Sequence, residues 1–127
     1  MNHFRVARHT VQLDLIKRFY VDALGMKLLG AFDHDGYKGI FIGLEDQTWH
    51  LEFTQSDDSP KHEADEDDLL VFYIDEKQLF ETCIARIEGF GCTEVMAKNP
   101  YWNQWGKTYL DPDGFRIVVC NRVWSNH

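Results

Sequence analysis

The sequence predicts an α+β fold: two tandem βαβββ modules forming a curved mixed sheet around a concave cleft. Three observations lead there. The acidic stretch 57–68 (DDSPKHEADEDD) divides the 127 residues into halves of similar length. Each half reads strand, helix, then strands. Neither half alone buries much apolar surface, whereas two modules sharing one core do. The expected division is therefore one domain over residues 1–127. Module one spans 1–56, an acidic connecting loop 57–68, and module two 69–124.

In the first half, Phe4-Arg5-Val6-Ala7 is a short strand. Thr10 is placed to cap a helix from about Leu13 to Leu24, with Leu13, Ile16, Tyr20 and Ala23/Leu24 as its apolar stripe. Gly25 ends it. Three strand-like runs follow at about 27–33, 38–44 and 48–54, with Asp35-Gly36 as a hairpin turn between the first two. The second half repeats the plan. Leu69 to Ile74 is a strand, and Asp75 with Gln78 resembles a capping box for a helix over about Glu76 to Glu88. Phe80, Cys83/Ile84 and Ile87 form its buried stripe. Strands are expected near 92–97, 107–111 and 115–121, with Asp111-Pro112-Asp113-Gly114 as a tight turn. Residues 98–106 (KNPYWNQWG) read as an aromatic loop.

Hydrophobic residues make up 44% of the chain and aromatics 14%, which excludes disorder of the whole. The net charge of -8 argues against nucleic-acid and anionic-membrane partners. Residues 57–68 alone hold seven acids against one Lys, so the rest of the chain is near neutral. Such a run reads as a mobile, solvated connection. No stretch approaches the roughly 20 apolar residues of a membrane span, and the first ten residues contain no signal-peptide core. Cys83, Cys92 and Cys120 are odd in number and lie in apolar patterns, so reduced thiols and a cytoplasmic location are expected.

Side chains alternate along strands. The parity holding Leu51 and Phe53 faces the helices, and the other parity carries Arg5, His50, Glu52, Tyr73 and Arg116. Mixed apolar and polar lining suits a small-molecule site, and an ordinary half-solvated sheet face fits the alternation equally well.

Arg5-Val6-Ala7, Leu13, Phe19-Tyr20 and Leu24-Gly25 resemble the opening strand and helix of the vicinal oxygen chelate superfamily. That superfamily includes glyoxalase I, bleomycin-resistance proteins and extradiol dioxygenases. His50-Leu51-Glu52-Phe53 is similar to its fourth strand, and Asp111-Pro112-Asp113-Gly114-Phe115 to its turn near the C-terminus. The resemblance spans about residues 4–121 and implies the glyoxalase/bleomycin-resistance/dioxygenase fold. Metal-dependent members carry four ligands on four strands. By spacing, these positions fall on Arg5, Glu52, Leu69 and Val118. Only Glu52 among them can ligate a metal, since Arg has no lone pair to offer and Leu and Val have no donor atom. The resemblance therefore points to the metal-free branch, with no cofactor and no divalent metal. A displaced triad of His3, His50 and Glu52 is the alternative that would keep a metal.

The candidate cleft residues are Arg5, His50, Glu52, Leu69, Tyr73, Trp102, Trp105 and Val118. Arg5 is expected to pair with Glu52, a cation standing where the family holds a metal, with spare guanidinium donors for a ligand oxyanion. Tyr101, Trp102 and Trp105 are expected to lid the cleft or to pack as a satellite core. Arg116 reads as a solvated end residue. The expected function is binding or sequestering an apolar or aromatic small molecule. The alternative is a glyoxalase-like lyase or isomerase working through a displaced metal or through Glu52 as acid/base, the candidate catalytic residue. A vestigial cleft in an interaction module is a third reading. The resemblance implies a homodimer.

Overall fold

The computed structural model describes residues 1–125. The chain falls into two compact units, Met1–His62 and Glu63–His127, with the division inside the acidic stretch.

In the first unit, β1 (Phe4–His9) leads through a short turn into α1 (Leu13–Lys17). A π-helical segment, Arg18–Ala23, continues α1. Then come β2 (Lys27–His34), β3 (Tyr37–Gly43) and β4 (Trp49–Gln55). The sheet order is β1-β4-β3-β2, with β1 parallel to β4 and the other pairs antiparallel. The expected hairpin forms, with positive φ at both Asp35 and Gly36, which matches the twist of the flanking strands. Thr10 does not cap the helix directly. Its Oγ1 accepts from the N–H of Gln12, and Oε1 of Gln55 on β4 accepts from that of Leu13. The sequence-predicted single α-helix instead widens after Lys17: the Leu24 N–H reaches the Phe19 carbonyl five residues back. The wider turn buries Phe19 and Tyr20 together, and Gly25, at φ 83°, ends it. Leu13, Ile16, Phe19, Tyr20 and Ala23 are buried with Ile40, Ile42, Leu51 and Phe53, each large side chain contributing about 1.5–3 kcal/mol. Tyr20 meets Phe53 at 4.8 Å between ring centroids.

The second unit holds β5 (Leu69–Tyr73), α2 (Lys77–Gly89), β6 (Glu94–Val95), α3 (Pro100–Trp105), β7 (Gly106–Leu110) and β8 (Arg116–Cys120). Its sheet order is β5-β8-β7-β6, with β5 parallel to β8. Cys83, Ile84 and Ile87 of α2 are buried with Tyr109, Ile117 and Val119. In the tight turn, Oδ1 of Asp111 accepts from the N–H groups of Asp113 and Phe115. The molecule thus has the predicted α+β class and fold, as two four-stranded mixed sheets.

Four further local expectations change. The Asp75/Gln78 capping box does not form: the residue before α2 is Glu76, and no side chain caps it. The strand at 92–97 shrinks to Glu94–Val95. Residues 98–106 are no loop, because Asn99 caps a helix with Pro100 in its first turn. Arg116 is not solvated: its side chain is 13% exposed, donates to the Met96 carbonyl and lies 3.7 Å from Glu66. The end of the acidic stretch is held to its unit by that contact and by Lys98 on Asp67 at 3.2 Å. The three cysteines are free. Among the described residues no helix is long and apolar enough to cross a membrane.

Candidate functional site

The parallel pairing of β1 with β4 sets Arg5 opposite His50 and Ala7 opposite Glu52. These residues share one face of the first sheet, the face away from α1. Arg5 leans one step along the strand and pairs with Glu52 at 3.1 Å. The two ends differ in environment, since the Arg5 side chain is 57% exposed and that of Glu52 only 10%. The pairing expected from sequence is therefore present, with the cation on the wet side.

His50 makes the second cluster. Its Nδ1 lies 2.7 Å from Nε2 of His3, so two imidazoles share one hydrogen. Burial first, then the positive charges of His3 and Arg5, hold the His50 pKa below the ordinary 6.5, with Glu52 opposing. Nε2 of His50 is buried without a hydrogen-bond partner. A buried polar atom left so costs about 1–3 kcal/mol.

The same face continues into an aromatic row. Phe41, opposite Glu52 on β3, stands edge-on to His50 at 5.6 Å. Phe32 lies 5.7 Å from Phe41 and stacks on Tyr37 at 5.7 Å and 22°. Each ring sits across from a glycine: Phe41 opposite Gly30 and Phe32 opposite Gly39. A Cβ on Gly39 would come 2.5 Å from the Phe32 ring, so the glycines are the floor on which the rings lie. Sequence reasoning missed Phe32, Tyr37 and Phe41. The signal was the alternation Tyr37-Gly39-Phe41-Gly43, aromatic and glycine on one parity. At the other end of β1, His9, Ser56, Asp58 and Pro60 border a shallow depression, with Ser56 Oγ a long 3.4 Å from Nε2 of His9.

The remaining candidates belong to the second unit. Val71 pairs with Val118, and Leu69 with Arg116, on one face of that sheet. Val118 is fully buried and Leu69 half-buried. Tyr73 meets Trp102 edge-on at 6.4 Å, and Trp102 meets Tyr101 at 5.0 Å. Burial raises the Tyr73 pKa, with Cys120 and Tyr101 adding to it. Trp105 is half-buried under the Arg122 guanidinium, 4.2 Å from its ring centre. The aromatics of 101–105 are thus fixed on a helix by neighbours of their own unit.

The chain matches the YycE-like N-terminal domain over residues 4–54 and the YycE-like C-terminal domain over residues 67–121. It is 43% identical over 119 residues to the uncharacterized protein YycE of Bacillus subtilis, covering 92% of this chain and 86% of YycE. The chain belongs to the YycE-like family. The crystal structure of B. subtilis YycE superposes with a TM-score of 0.90 at 40% identity, over 98% of this chain and 93% of that one. More distant likenesses show the fold alone. Glyoxalase I of Leishmania major gives a TM-score of 0.72 at 22% identity, over 93% and 84% of the two chains. TnmS3, an antibiotic-binding protein from Streptomyces, gives 0.68 at 18%, over 94% of both. The fold of this YycE-like chain is that of the vicinal oxygen chelate superfamily.

That superfamily implies a divalent metal in its enzymes, and the residues here do not fit one. The four positions expected from the resemblance, Arg5, Glu52, Leu69 and Val118, offer a single carboxylate, Glu52, which is already paired with Arg5. Among the described residues no group of three or more His, Cys, Asp or Glu is arranged to hold a metal ion. His3 and His50 do meet, yet Glu52 does not complete a triad with them.

Proposed function

We propose that this protein binds a small apolar or aromatic molecule on the exposed face of its first sheet, without a metal. The observation that carries the reading is the Arg5–Glu52 pair beside the row Phe41, Phe32 and Tyr37. By the family resemblance Arg5 falls where the enzymes carry a metal ligand, and it cannot coordinate an ion. The rings give a flat ligand a stacking surface on glycine floors. Tyr73 and Trp102 offer a second aromatic surface on the other module, where Leu69, Trp105 and Val118 are also proposed as lining residues. The named role of TnmS3 in binding an antibiotic agrees with this reading at the level of fold. A cytoplasmic homodimer belongs to the same proposal.

The test joins metal analysis to calorimetry. Protein purified without chelator should carry no stoichiometric Zn, Ni, Fe or Mn. A panel of flat aromatic compounds should contain saturable binders, weakened about tenfold or more by Phe41→Ala. Stoichiometric metal would favour a glyoxalase-like lyase or isomerase instead. A folded protein that binds nothing in the panel would overturn the proposal.

A further inference from the structure

We infer that the ligand is an aromatic acid, its ring beside Phe41 and its oxyanion received by Arg5 together with Nε2 of His50. This rests on the reading just proposed and names the ligand's chemical class. Three observations fall on neighbouring residues, since Arg5 stands opposite His50 in the β1–β4 register. First, Arg5 carries five N–H donors, and it meets Glu52 with NH1 at 3.1 Å from Oε1. More than half of the side chain is exposed, so donors remain for a second oxyanion. Second, the only acid beside the guanidinium on the paired strand, Glu52, is engaged by it. A cationic ligand would meet Arg5 first and is disfavoured.

Third, the imidazole pair holds an unused nitrogen. One hydrogen lies between Nε2 of His3 and Nδ1 of His50. If His3 supplies it, Nε2 of His50 carries a hydrogen of its own, and that buried donor has no acceptor. If His50 supplies it, Nε2 is a bare lone pair with no donor. An arriving oxyanion selects the first arrangement, because only then does His50 donate to it. Phe41 stands edge-on against this imidazole, so a ring whose carboxylate reaches Nε2 lies against Phe41. Nε2 is covered in the resting structure, so side chains beside it must shift to admit the oxyanion. A neutral aromatic of the same shape satisfies the rings and leaves both Arg5 and His50 unanswered.

The experiment is calorimetric titration of the full chain with naphthoate and with its neutral isostere naphthamide, at about pH 7.5, where an ordinary imidazole is mostly neutral. Naphthoate should bind about tenfold or more tightly than the amide. His50→Phe and Arg5→Gln should each bring the ratio of the two affinities towards one. As a measure independent of any variant, naphthoate should shift the Nε2 nitrogen resonance of His50 to the protonated, donating form. Equal affinities, or a tighter amide, would overturn this inference and leave the small-molecule reading standing. Failure of both compounds and the whole aromatic panel to bind would sink both.

Discussion

Arg5 and Glu52 are unequal partners, and the inequality is measurable. Glu52 is largely buried, whereas Arg5 is mostly in water. Removing the cation strands a carboxylate in poor solvent, but removing the carboxylate returns a guanidinium to water. Arg5→Met should therefore destabilise the fold by about 1–3 kcal/mol, and Glu52→Gln by less than about 1 kcal/mol, as read by urea unfolding. Equal losses would mean that the pair is simply a surface contact. His50 makes a second residue-level prediction. Its folded pKa lies below 6.5, so the unfolded chain takes up the proton first as pH falls. The imidazole imposes no penalty well above 6.5. Stability is lost as pH drops from 6.5 through the folded value, and the loss then levels. His50→Phe should flatten that part of the melting-temperature profile between about pH 8 and pH 5. A profile that overlays wild type would show the group to be uncoupled from folding.

At the level of elements, the sequence shows its limits in α3. Period-two and period-3.6 patterns located β1 to β5, β7, β8, α2 and the combined span of α1 and its π-helical continuation within a residue or two, most firmly where one face is buried, as in β3, β4, β8 and α2. α3 buries none of its residues, so no stripe marks it. Its end signals, Asn99 and Pro100, were present and were outweighed by the aromatic composition. Oδ1 of Asn99 accepts from the Tyr101 N–H at 3.0 Å, so Asn99→Ala should cost about 1 kcal/mol, visible in thermal unfolding. Immediately after the helix, Gly106 opens β7 against Cys120. A Cβ there would lie 2.1 Å from the Val119 carbonyl, a backbone atom that cannot swing away. Gly106→Ala should thus cost about 3 kcal/mol by forcing the β7–β8 ladder apart. A neutral result would show that the ladder yields at little expense. The aromatic row was hidden for a different reason. Phe32 and Phe41 become neighbours only through the β2–β3 register, with its irregularity between Leu28 and Gly30, and no local pattern shifts the register there.

Over the whole molecule, the repeat was legible because each module states its own hydrophobic plan, and the acidic run between them states a boundary. The charge run was misread only in its freedom. Charge composition reports that a segment prefers water, but not which cations wait beside it. Arg116 waits at the start of β8, nearly buried, with one nitrogen on the Met96 carbonyl and another near Glu66. Lys98 adds Asp67. The second unit thus clasps residues 66 and 67. Arg116→Ser should release the clasp at Glu66 and leave the Met96 carbonyl unanswered. Limited proteolysis should then cut the 57–68 region several-fold faster than in wild type, with an unchanged circular-dichroism spectrum. Added salt should move wild type part of the way towards the variant, since the outer charges are screened. An unaltered cleavage rate in Arg116→Ser would mean that the segment is held by its backbone turn at Asp65–Asp68, whose N–H to carbonyl bond of 3.1 Å survives the substitution.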